Sequence, residues 1–163
     1  MTKTVIAIAA ALGIAALSTT ASAQSTGIYV GAAAAVQGQS VPDSQWGGTA
    51  TVGYRLNRYL AVEGMAEFSA ESSTARAGQA LFGNVVAGYP VGAFTPYALV
   101  GAGYGFNGMG DANSDPQELW TAGVGVSYNI TDRWQLDARY RRIESFNGDL
   151  TADRVTVGVN FRF

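Results

Sequence analysis

The chain has no cysteine and no histidine. Without cysteine there is no disulfide framework and no thiolate zinc site. Without histidine there is no Ser-His or Cys-His catalytic pair and no imidazole metal ligand. Charge is scarce: 13% of the 163 residues are Asp, Glu, Lys or Arg, about half the usual share for a soluble domain. A net charge of -2 gives no electrostatic basis for nucleic-acid binding. Proline is limited to 4 residues, whereas glycine reaches 21 and apolar residues make up 48%. Yet beyond about residue 20 there is no long apolar run. A helical membrane span needs roughly 20 such residues in succession, so the apolar residues must be deployed in another way.

The N-terminus holds one exception. Lys3, the only lysine, precedes the uncharged stretch Val5 to Leu17, and Ser18-Thr19-Thr20 leads to Ala21-Ser22-Ala23. A positive start, a short apolar core and small residues at Ala21 and Ala23 form a secretory signal peptide over residues 1–23, with cleavage expected after Ala23. The stretch is short for a membrane anchor. No cysteine follows the cleavage site, which excludes a lipoprotein. The expected mature domain is residues 24–163, with a net charge of -3 once Lys3 is removed from the total.

Within that domain the apolar residues recur with period two. Val155, Val157, Val159, Phe161 and Phe163 alternate with Thr156, Gly158, Asn160 and Arg162. Trp134, Leu136, Ala138 and Tyr140 alternate with Gln135, Asp137, Arg139 and Arg141. A helix would scatter these charges around its circumference, whereas a strand puts them on one side. The same reading sets Trp120 to Tyr128 against Thr121 to Asn129, and Ala98 to Phe106 against Leu99 to Gly105. It sets Leu81, Val85, Ala87 and Tyr89 against Asn84 and Gly88. Leu60, Val62, Ala66 and Phe68 oppose Glu63, Met65 and Glu67, and Ala50, Val52 and Tyr54 oppose Thr51, Gly53 and Arg55. Ile28 to Val36 opposes Tyr29 and Gly31. Eight strands result.

Their connections alternate in length. Arg55-Leu56-Asn57-Arg58, Gly92-Ala93-Phe94 and Asn129 to Arg133 are short. The links near Gln37–Gln45, Ser69–Gly78, Asn107–Gln117 and Glu144–Asp153 are longer and polar. They hold Asp43, Glu71, Asp111, Asp115, Glu144, Asp149 and Asp153. Alternating short and long links define an antiparallel up-and-down barrel with different loops at its two ends. A soluble barrel would turn its apolar faces inward. Here those faces carry the larger side chains, and the opposite faces mix glycine with Arg and Glu. An eight-stranded lumen is too narrow for large side chains at every position, so the apolar faces are expected to meet lipid. The scarcity of charge follows, because a lipid-facing Arg or Lys at mid-bilayer costs roughly 2–4 kcal/mol. Tyr54, Tyr59, Tyr89, Tyr97, Tyr128, Trp134 and Phe163 fall near the short-turn end. Trp46, Phe68, Phe82, Phe106, Trp120 and Tyr140 fall near the long-loop end. Two interfacial aromatic belts are therefore expected.

With these features the chain resembles the small outer-membrane β-barrel proteins, namely the OmpA-type transmembrane domain and its opacity-protein-like relatives. The resemblance rests on the Ala-x-Ala signal, the eight alternating strands, the segment Pro96-Tyr97-Ala98-Leu99-Val100-Gly101-Ala102-Gly103-Tyr104 and the terminal Phe163. It covers the whole mature chain and implies an all-β, eight-stranded transmembrane barrel in the outer membrane of a Gram-negative bacterium, monomeric and cofactor-free. Val157, Val159, Phe161 and Phe163 are similar to the C-terminal signal read by the outer-membrane assembly machinery. The implied partners are outer-membrane lipid and lipopolysaccharide, that machinery, periplasmic chaperones, and a host or cell-surface ligand at the loops. The chain stops where a full-length OmpA continues, so tethering to peptidoglycan is not expected.

On the strand facing above, Arg55, Glu63, Glu67, Asp137, Arg139, Arg141 and Arg162 point into the lumen. In so narrow a cavity opposite charges must pair. The expectation is a salt-bridged plug, similar to the charged interior of the OmpA-type domain; a narrow ion path is the alternative. Arg142 falls on the lipid face near the long-loop end, where it is expected to snorkel into the headgroups. Glu63 and Glu67 could in principle do acid/base work, but a plug needs the same facing, and the barrel enzymes of this class use histidine. Gly101-Ala102-Gly103-Tyr104-Gly105 lies inside a strand, not between a strand and a helix, and is no dinucleotide loop. No catalytic, cofactor or metal site is expected.

Overall fold

The computed structural model describes residues 26–38, 45–69, 78–106, 117–148 and 151–163. They form eight strands: β1 (Gly27–Gly38), β2 (Gln45–Arg55), β3 (Leu60–Ser69), β4 (Gly78–Gly88), β5 (Phe94–Phe106), β6 (Gln117–Asn129), β7 (Trp134–Ser145) and β8 (Thr151–Arg162). Each strand pairs antiparallel with the next, and β8 returns to β1, with Tyr29 opposite Arg162. Closure leaves no sheet edge, so the strand backbones pair among themselves and lipid meets no row of free N–H or C=O groups. Ala21 and Ala23, the expected cleavage-site residues, lie outside the described residues.

The register sets how the strands lean. From Arg162 on β8, the opposed residues run through Tyr29, Gly53, Glu63, Asn84, Gly101, Thr121 and Ile143. The path regains β8 at Ala152, ten residues from its start. This stagger forces the strands to tilt against the barrel axis. It also decides which lumen side chains share a level.

Burial alternates as period two requires. Along β3 every second residue, from Ala61 to Ser69, is buried, and the intervening ones are exposed. Val52, Val85, Val100, Val124, Val155 and Val157 are each at least half exposed, which is the surface lipid would cover. At the short-turn end rings pair: Trp134 with Phe161 at 5.0 Å, Phe161 with Phe163 at 5.2 Å, Phe94 with Tyr128 at 4.8 Å and Tyr59 with Tyr89 at 5.8 Å. Trp46, Phe68 and Phe106 are exposed near the opposite end. Two rings expected in these belts are not there. Tyr97 and Phe82 are buried in the lumen, at 9% and 3% exposure. Each shares the parity of inward neighbours, Leu99 and Asn84, and parity overrides nearness to a strand end.

The short turns are built by side-chain caps. Asn57 Oδ1 accepts the N–H groups of Tyr59 (2.8 Å) and Leu60 (2.9 Å), and Thr131 Oγ1 accepts that of Trp134 at 3.0 Å. Such side chains hold a turn that the backbone alone would not specify. Gly92 takes φ +61 in the turn bridging Val91 and Phe94, a conformation that favours glycine. At the other end the strands run further than the polar composition suggests. Glu144 and Asp153, expected in a loop, lie in β7 and β8. The other five loop acids lie outside the described residues.

Candidate functional site

The lumen is layered, and β7 shows the layers in order. From the short-turn end its buried residues are Gln135, Asp137, Arg139, Arg141, Ile143 and Ser145. β3 stands on the opposite wall, four strands away, and supplies Glu63 and Glu67. Strand alternation points all of them inward, and the barrel's width brings them together.

Glu63, Asp137 and Arg139 form the first network. Arg139 Nη1 donates to Glu63 Oε2 at 2.9 Å, and its Nη2 donates to Glu63 Oε1 at 3.3 Å. This is the two-pronged geometry that a planar guanidinium offers a carboxylate. Its Nε donates to Asp137 Oδ1 at 3.1 Å and to the Tyr97 hydroxyl at 3.0 Å. Tyr97 donates in turn to Asp137 Oδ2 at 2.7 Å, and Tyr29 donates to Glu63 Oε1 at 2.6 Å. Both carboxylates are thus engaged through both oxygens.

Glu67 centres the second network. It accepts from Arg141 Nη2 at 2.5 Å and pairs with Arg154. All three side chains are at most 1% exposed. The Arg141 guanidinium also lies 5.7 Å from the centre of the Phe82 ring, within cation–π range. The first network carries two acids and one arginine, the second one acid and two arginines, so together they are neutral. Met65, Ala80, Phe82, Leu119 and Ile143 form an apolar cluster packed alongside, each no more than 3% exposed; Met65 lies between Glu63 and Glu67 on β3 and opposite Phe82. The lumen is therefore filled at these levels by paired charge interleaved with packed apolar side chains.

Five of the seven expected lumen residues take part in these networks. Arg55 and Arg162 do not. They sit half-buried at the short-turn mouth, where Arg162 Nη2 donates to Asn129 Oδ1 at 2.8 Å. Sequence reasoning missed Arg154, Tyr29 and Tyr97 as network members. Arg154 shares parity with Thr156 and Asn160, but it lies beside Asp153 at the edge of an expected loop. Below the first network is a cavity of about 40 Å³, reached from the short-turn end and lined by Arg55, Asn57, Gln135, Asn160 and the Glu63–Arg139–Asp137 floor, among others. That is room for a few waters.

Glycines make space for these rings. A Cβ on Gly53 would come within 2.2 Å of the Tyr29 ring, and one on Gly125 within 2.3 Å of the Tyr97 ring. The abundance of inward glycine is thus tied to the two tyrosines that complete the first network.

Outside the barrel, Arg142 pairs with Glu144 at 2.6 Å, and Tyr140 donates to Asp153 at 2.8 Å. These groups form a polar rim at the long-loop end of the apolar surface. Of the residues expected to form an assembly signal, Val157 and Val159 face outward on β8, and Phe161 and Phe163 join the aromatic cluster with Trp134. Among the described residues no three Asp or Glu gather as a metal site would require.

An apolar exterior, a closed eight-stranded meander and an interior of paired charge define a transmembrane barrel of the outer-membrane class. The chain belongs to the outer membrane protein beta-barrel domain family, whose model matches residues 7–163. It is accordingly an outer-membrane protein of the Gram-negative type. No curated protein matches its sequence. Among solved structures it is similar to the Neisserial surface protein A, with a TM-score of 0.66 and 18% identity, over 89% of this chain and all of that one. The N-terminal barrel of Pseudomonas aeruginosa OprF gives 0.63 and 16% identity over 86% of this chain and 98% of that one. Yersinia pestis Ail, the attachment invasion locus protein, solved with the heparin analogue sucrose octasulfate, gives 0.54 and 22% over 85% and 97%. The outer-membrane enzyme PagL has the fold as well, at 0.52 and 14% over 83% and 99%. At these identities the shared property is the fold.

Proposed function

We propose that this protein is a structural barrel of the outer membrane with an occluded lumen, and that its long loops are available for contacts at the cell surface. The observation that carries the reading is the neutral double network of Glu63, Asp137, Arg139, Glu67, Arg141 and Arg154, packed against a buried apolar cluster. An open pore would need solvated, accessible charges along its path. These are buried and paired, and the same engagement occupies the buried lumen acids among the described residues, so we read the barrel as non-enzymatic. Residues 1–23 would direct secretion, with cleavage after Ala23. Val157, Val159, Phe161 and Phe163 would be recognised by the assembly machinery. Lipopolysaccharide would contact the outer rim around Arg142 and Glu144, and the barrel would work as a monomer.

In its native cell, deleting the gene should raise uptake of an apolar dye that the outer membrane normally excludes. Wild type and a variant with shortened long loops should both restore exclusion. Unchanged uptake in the deletion strain would refute the structural role. A second role, binding a sulfated surface polymer at the loops, is supported by the similarity to Ail in complex with a heparin analogue. Heparin-bead retention that disappears on loop shortening would separate it from the structural role.

A further inference from the structure

Arg55 and Arg162 are two half-buried guanidinium groups at one mouth of the lumen; they stand on the two strands that flank β1, opposite Gly27 and Tyr29. Among the described residues neither forms an ion pair. Arg162 Nε is buried with no hydrogen-bond partner. Its Nη2 is held by Asn129 Oδ1, which also accepts from Gln135 Nε2 at 3.1 Å, so the side chain is fixed in place. Glu63 lines the same cavity as Arg55, yet both its oxygens are already taken by Tyr29 and Arg139. Two like charges removed from water need a counter-charge, and the plug has none to spare.

We propose that this mouth binds a small oxyanion of phosphate size, held between Arg55 and Arg162. A planar guanidinium offers paired N–H donors that match oxyanion geometry. The adjoining cavity of about 40 Å³ is lined by Arg55, Asn57 and Asn160, which gives the anion space and further polar contacts. Its floor carries Glu63 and Asp137 against the single Arg139, so the anion stays at the level of the mouth and does not enter the plug. The end with short turns is the periplasmic end of such barrels, so the anion comes from that side. It is either free in solution or carried on the headgroup of an inner-leaflet lipid.

The test uses the refolded protein in phosphatidylcholine nanodiscs, with arginine side chains observed by NMR. Inorganic phosphate is titrated at constant ionic strength with chloride. The Nε–Hε signals of Arg55 and Arg162, assigned from Arg55→Gln and Arg162→Gln, should shift saturably. Each substitution should weaken the binding seen at the remaining arginine by roughly tenfold or more. Arg133→Gln, on an exposed neighbouring turn, should leave the titration unchanged. In a second arm, phosphatidylglycerol nanodiscs without added phosphate should leave both signals at their free positions if the anion is a soluble one. Signals already at the bound position would assign the anion to a headgroup. The proposal is overturned if neither arm shifts these signals saturably, or if Arg55→Gln and Arg162→Gln both titrate like the wild type.

Discussion

Single residues fix what fills the barrel. Glu67 faces two arginines, Arg141 and Arg154. Glu67→Gln therefore removes the carboxylate that Arg141 and Arg154 share. Breaking a buried pair in this way costs about 3–5 kcal/mol. The detergent-folded variant should unfold at a clearly lower urea midpoint than wild type, and an unchanged midpoint would show that the pair is not formed. Gly125→Ala probes the other network through shape instead of charge. Its methyl group would collide with the end of the Tyr97 ring and the Ala138 carbonyl, so Tyr97 must leave Asp137. Overpacking of this kind costs about 1–3 kcal/mol, readable in the same unfolding experiment. If Gly125→Ala matches wild type, the ring does not sit over the glycine.

Strands are the scale at which the sequence was most legible. Period two put Glu63, Glu67, Asp137, Arg139 and Arg141 on inward faces and Val155 to Phe161 on the lipid face, because a strand allows only two directions. The same rule, applied without regard to strand ends, would have placed Tyr97, Phe82 and Arg154 inside as well. Which acid meets which arginine was not legible. Glu63 and Arg139 are 76 residues apart in the chain, and their meeting depends on closure and on the stagger between strands, to which no local pattern points. The apolar cluster was hidden for a similar reason: Leu119 and Ile143 sit on otherwise polar faces of two different strands. Two tests belong here. Val157→Arg places a charge at an outward position that is 59% exposed and should cost roughly 2–4 kcal/mol near mid-bilayer, measured by folding into vesicles. Thr156→Val, one residue away and inward, changes little by comparison; equal losses would contradict the facing of β8. Deleting Phe163 should lower the yield of assembled barrel without reducing secretion into the periplasm. Undiminished assembly would remove the C-terminal signal from the account.

The whole molecule unites a lipid-facing exterior with a lumen filled by its own charges. The scarcity of charge in the composition is thus a matter of placement. Among the described residues the charges collect in the lumen, at the short-turn mouth and turns, and on the polar rim around Arg142, Glu144 and Asp153, and the lipid-facing stripes between are free of them. Closure makes the two functions of the barrel wall interdependent. One set of side chains faces the membrane, and the alternate set supplies the paired charges of the lumen. The measurement that bears most directly on this account is conductance of the refolded wild-type protein in a planar lipid bilayer. A lumen closed by the Glu63–Arg139–Asp137 and Glu67–Arg141–Arg154 networks predicts a silent membrane after verified insertion. Steady open channels would contradict it.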